Sequence, residues 1–99
     1  MDVSKVSDIT YTELAEYIVL DELDEDDIST LNTLLTVSKT FIEKYTGRTE
    51  EELDNFPDFI IVVYILCQDM WDNRRLYVDN SDLNKIVETI LGMHSVNLL

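Results

Sequence analysis

The stretch FIIVVYILC, residues 59 to 67, is nine apolar residues in succession, and it constrains the chain more than any other segment. It lies among 99 residues that carry 21 acids against 7 bases, a formal net charge of −14. A bilayer-spanning helix needs about 20 apolar residues. This run stops at Asp58 on one side and at Gln68 and Asp69 on the other. The N-terminal MDVSKVSD has no apolar stretch of the kind a secretory signal carries. The expectation is a soluble, intracellular protein whose greasy run is covered by its own helices or by a neighbour. Burying the run contributes on the order of 10–20 kcal/mol gross, at about 1.5–3 kcal/mol per large side chain. That exceeds the net stability of an ordinary domain, so the run has to be covered somewhere.

Ninety-nine residues suit one domain, read here as 1–99 with a flexible N-terminus (1–8) and a tail (94–99). Two glycines and one proline are too few for a disordered chain or a turn-rich β fold. The class expected is all-α: a small bundle of four to five helices. Cys67 is the single cysteine and lies inside the apolar run, so it reads as buried and inert. One histidine and one cysteine leave no His/Cys metal site, and no cofactor is expected. A protein that grips nucleic acid needs a basic footprint, which a net charge of −14 does not supply.

Along the chain, Thr10 and Glu13 form a capping-box pair that opens a short helix over roughly 11–19, with Leu14, Tyr17 and Ile18 on one face. DELDEDD follows at 21–27, six acids in seven residues, without the glycine and terminal glutamate of a calcium loop. It reads as a solvated linker whose last acids favour the next helix's positive end, with a cation or a basic partner as the other reading. In the long helix after it, Ile28, Leu31, Leu35, Phe41, Ile42 and Tyr45 recur at helical spacing, and Gly47 supplies the left-handed stop. Thr30, Thr33, Val37 and Thr40 line the opposite face, where Lys39 is the only charge between Ile28 and Ile42. A face without charge can pack on another protein without desolvating ions, or it can simply be exposed. Thr49 and Glu52 make another capping pair.

Pro57 reads as the first residue of the long central helix, about 57–75 and roughly 28 Å in length. Asp58, Val62, Ile65, Asp69 and Asp72 recur at spacings of 4, 3, 4 and 3, a stripe polar at its ends and apolar in its middle. Either the chain's own helices cover Val62 and Ile65 or a neighbouring subunit does, which makes the two candidates for a subunit interface. A last helix, capped by Asn80 or Ser81, turns Leu83, Ile86, Val87, Ile90 and Leu91 inward. The tail residues Val96, Leu98 and Leu99 are too apolar for a free end; they fold back on the core or dock on a partner. His94 reads as structural. Arg74 and Arg75 suit the negative end of the central helix, with at least one expected to pair with a carboxylate of the first half, where 16 of the 21 acids lie. Arg48 reads as a cap or pairing residue, and Tyr45 and Trp71 as core positions. No phosphate loop, nucleophile elbow or zinc-protease motif occurs, so an enzyme is not expected.

Three stretches taken together, LDEDDISTLNTLLTVSKTFIEKYTGR, a proline-led helix ending in YILCQDMWDNRR, and ILGMHSVNLL, resemble the small all-helical head–tail connector proteins of tailed phages and prophages, also called DNA-packaging adaptors. The likeness covers residues 9 to 99. It includes the acidic turn, the Thr-Gly-Arg at 46–48 and the aromatic-x-Asn-Arg around Asn73, with Trp71 where tyrosine is commoner. The resemblance implies a dodecameric ring of identical subunits beneath the portal protein at the virion's head–tail interface. Such a ring extends the channel through which DNA passes and offers a dock to downstream neck or tail-completion proteins. It also implies structural roles for Tyr45, Gly47, Arg48, Trp71, Asn73, Arg74 and Arg75, and portal or neighbour contacts for Val96, Leu98 and Leu99. The alternative is an acidic DNA mimic or adaptor that binds a basic partner.

Overall fold

In the computed structural model, which describes residues 3–96, five α-helices and two short 3₁₀ turns follow one another, with no strand among the described residues. The first helix, α1 (Tyr11–Ile18), starts at Thr10, whose hydroxyl and N–H both donate to the Glu13 carboxylate. Those bonds hold the Glu13 carboxyl below its ordinary range. The helix ends on Val19 in the left-handed region at φ 66°, where the Leu20 N–H closes back on Ala15.

The longest helix, α2 (Glu25–Thr46), has Asp24 as N-cap, accepting from the Asp27 N–H at 2.8 Å, and three acids in its first turn. Its inner face buries Leu31, Leu34, Leu35 and Ile42. It stops at Gly47, φ 76°. A one-turn helix, α3 (Glu50–Leu53), is capped by Thr49, whose hydroxyl accepts from the Glu52 N–H.

The apolar run forms α4 (Phe59–Asp72), shorter than the 57–75 expected from sequence. Pro57 and Asp58 belong to a tight turn instead: the Phe59 N–H bonds Phe56 and the Ile60 N–H bonds Pro57. Asp58 offers α4 no side-chain cap, because its carboxylate meets His94 Nε2 at 2.7 Å. At the other end Arg74 adopts φ 55° and the Arg75 N–H returns to the Met70 carbonyl, which closes the helix three residues early.

The last helix, α5 (Lys85–His94), is capped by Asn84, not by Asn80 or Ser81: Asn84 Oδ1 accepts from the Ile86 and Val87 N–H groups. Residues 80–82 form a separate 3₁₀ turn, after which the extended Leu83 breaks the path.

Helix α4 is the central element and packs on α1, α2, α5 and the N-terminal turn. The end of α5 meets the start of α4 through His94, Asp58 and Phe59, so the two run antiparallel. Residues 6–9, which overlap the 1–8 segment read from sequence as flexible, also join the core. Val6 and Ile9 are buried, and the Ser7 N–H donates to Asp54 Oδ1 at 2.9 Å. Residues 3–96 thus make one body with a radius of gyration of 13.1 Å, close to the ~13 Å of a compact chain of this length.

Candidate functional site

The two Trp-to-Arg and Thr-to-Arg motifs are built as structural clamps. Asp69 organises the first: Asn73 Nδ2 donates to its carbonyl at 2.8 Å and to Oδ1 at 3.0 Å, while Arg75 Nη2 meets Oδ2 at 2.5 Å. Arg75 thus pairs within the chain, but with its own helix and not with the acid-rich first half. Arg74 lies over the Trp71 ring at 5.7 Å, and Trp71 packs on the core edge. Arg48 organises the second clamp. Its Nε donates to the His94 carbonyl at 2.6 Å, its guanidinium lies 4.4 Å over Phe56, and Nη1 reaches Glu52 at 3.7 Å. The His94 ring sits against Phe56 and Phe59. Tyr45 packs beside Phe41 at the core's edge. The Val96 N–H donates to the Thr46 carbonyl at 2.7 Å, so the tail folds back up to that point. Leu98 and Leu99 lie outside the described residues.

The interface candidates divide. Val62 is fully buried within its own chain and cannot contact a neighbour, which corrects its assignment. An apolar run carries no phase of its own, and α4 sits rotated by one position: Ile61 (38% exposed) and the half-buried Ile65 face outward, with Gln68 and Asp72 below them. On α2, Thr33 and Val37 lie with Glu25, Ile28, Ser29, Asn32 and Thr36 along a shallow surface groove, and the exposed Thr40 extends it. Thr33 and Thr36 donate their hydroxyls to the carbonyls of Ser29 and Asn32. Their hydrogen-bonding needs are met inside the helix, so the face from Ile28 to Val37 is uncharged and self-satisfied, with Glu25 at its N-terminal end. Thr30 sits apart, half-buried in a hollow of about 240 Å³ with Asp27, Trp71 and Arg74.

A second uncharged face was not foreseen. Ile86 and Met93 of α5 are 55% and 67% exposed, with the half-buried Ile90 between them. At spacings of 4 and 3 they form one stripe. Sequence spacing alone turned Ile86 and Ile90 inward with Val87 and Leu91, but α5 covers only one side of the bundle and buries a narrower face.

A third feature is a cleft of about 470 Å³ between the second half of α4, Tyr17 of α1 and the connection before α5. Ile65, Leu66, Val78 and Leu83 supply its apolar lining; Asp69, Asp72, Asp79 and Asp82 supply its charge. Asp79 accepts from the Ser81 hydroxyl at 2.6 Å and from its N–H at 3.1 Å, which holds its carboxyl below the usual range. Nothing in sequence joins these acids, since they come from two segments that meet only in the fold.

Catalytic chemistry finds little to work with. Cys67 is enclosed with Ser38 Oγ 3.4 Å from its sulfur, and burial pushes the thiol up to about 11. Among the described residues the Tyr64 hydroxyl is buried without a hydrogen-bond partner, and its ring stacks on Tyr17 at 4.7 Å; burial raises its pKa too. Among the described residues, no group of three or more His, Cys, Asp or Glu is placed to hold a metal ion, and no helix is long and apolar enough to cross a membrane. In comparisons with family models, curated proteins and solved structures, nothing matches the chain.

Proposed function

We propose that this chain is the subunit of a head–tail connector: a ring that sits under a portal protein, lengthens the channel for DNA and receives the neck or tail-completion proteins. The observation that carries the reading is a pair of charge-poor faces on different helices of a chain with net charge −14: the groove of α2, uncharged from Ile28 to Val37 with Glu25 at its end, and the Ile86/Ile90/Met93 stripe of α5. A ring closes by heterologous contact, which requires two different, complementary patches on each copy. Copies this acidic repel one another, so contact is cheapest where no carboxylate is desolvated. The motif likeness supports the same reading, while Thr30 and Ile65 line other hollows of the surface and belong to neither face. The exposed acids of 21–26 supply a surface that repels DNA phosphates within a Debye length of about 8–10 Å.

Sedimentation across salt concentrations tests the proposal. The protein should associate as salt rises, and charge placed on either face, Thr33→Asp with Thr36→Asp or Ile86→Asp with Met93→Asp, should block growth. Mixing the two variants should give a dimer and nothing larger, because each retains one intact face. A wild-type chain that stays monomeric at all salts, alone and with portal protein, would overturn it.

A further inference from the structure

We propose that the cleft between α4 and the 78–84 connection receives a basic amphipathic segment of another protein, its apolar side chains on Ile65 and Leu83 and its lysines or arginines at the aspartate rim. The inference does not rest on ring assembly. The cleft combines two things that a solvated acidic face lacks: a half-open concavity and apolar side chains within its lining. Its roughly 470 Å³ falls among pockets that enclose ligands. Of the four carboxylates, Asp69 is committed to Arg75 and Asn73, and Asp79 to Ser81. Asp72 and Asp82 have no ion pair or side-chain hydrogen bond among the described residues, and no lysine or arginine lines the cleft.

Charge selects the occupant. Phosphate-bearing polymers and anionic lipid surfaces are repelled by this rim, and the carboxylates are not grouped to hold a metal ion. A second copy offers no row of matching cations: Lys5 and Lys85 stand alone on separate segments, Lys39 and Lys44 are five residues apart on α2, Arg74 lies over Trp71, and Arg48 and Arg75 are engaged in its own clamps. A helix with lysine or arginine on one edge and leucine-like residues beside it satisfies both the apolar lining and the rim.

The probe is a synthetic amphipathic helix of lysine and leucine, titrated into the full chain at low protein concentration. A second peptide of the same composition, with its lysines distributed around the helix, is the comparison. Saturable binding to the amphipathic peptide is expected, with amide-shift changes concentrated on Ile65, Gln68, Val78 and Leu83. Asp72→Asn with Asp82→Asn should weaken it roughly tenfold. Asp21→Asn with Glu22→Gln, the same charge change made elsewhere, should alter it less than about twofold. Equal losses in both double variants, equal binding of the two peptides, shifts centred on 21–27, or no saturation would each overturn the proposal. Failure of the protein to form rings would leave it standing.

Discussion

Two of the three described residues with a left-handed backbone should respond to substitution in opposite directions. Gly47 ends α2 at φ 76°, and a Cβ there would come within 2.9 Å of Val96 Cγ2. Val19 ends α1 at φ 66°, 79% exposed, with nothing gained from its branched side chain. An L-residue in this region costs roughly 1–2 kcal/mol, and a glycine gives back about 0.5–1 kcal/mol through the freer unfolded chain. Val19→Gly is therefore expected to stabilise by about 0.5–1 kcal/mol, and Gly47→Ala to destabilise by about 1–2 kcal/mol, read from urea denaturation midpoints. A loss of stability in Val19→Gly would mean that the left-handed turn is not where α1 ends. Gly47 was legible in the sequence because glycine after a lysine-bearing last turn is a stop signal with a mechanism. Val19 was not, since a β-branched residue is the last type that spacing would place at positive φ.

Among the elements, α2 was the most legible and α4 the least, for one physical reason. In α2 the polar residues interrupt the apolar ones, so the sequence states both the helix and its inner face. In α4 nine apolar residues leave no polar marker through more than two turns, and the phase is set by packing on α1, α2 and α5. The acids that seemed to mark a stripe were poor guides. Asp58 is drawn to His94, and Asp69 caps its own helix end through Asn73 and Arg75. The consequence is a contrast between adjacent positions. Val62 is enclosed, and Val62→Ala removes two buried methyl groups and leaves a cavity, costing about 2 kcal/mol. Ile61→Ala trims a side chain already 38% exposed and should cost less than about 1 kcal/mol. Thermal denaturation of the pair checks the rotation directly, and equal costs would place the outward face back on Val62. The same lesson applies to α5, where an i, i+3, i+4 pattern named more inward residues than one bundle side can hold.

For the whole molecule the dominant electrostatic quantity is the net charge, not its few pairs. Twenty-one acids and seven bases share a body 45 × 30 × 19 Å across its principal axes, so many carboxylates stand within a Debye length of several others. The Arg–carboxylate pairs among the described residues run Arg48–Glu52 and Arg75–Asp69, with His94 Nε2 hydrogen-bonded to Asp58 beside them, and the acid of each contact is 39–48% exposed. Exposed pairs contribute about 0–1 kcal/mol each, so screening them removes little. Screening the mutual repulsion of the remaining carboxylates removes a term that opposes compaction, and the balance favours the folded state. Added sodium chloride should therefore raise the melting temperature: a gain of about 1 kcal/mol between 10 mM and 0.5 M, on the order of 4–8 °C for a domain this size. Sodium chloride is the salt to use, since sulfate would add its own exclusion effect on apolar burial. The measurement belongs on the variants with charge placed on one face as well as on the wild type, because any association stabilises by mass action. A rise in the wild type that vanishes in Ile86→Asp with Met93→Asp would assign the effect to assembly. A rise of similar size in both assigns it to the repulsion within each chain.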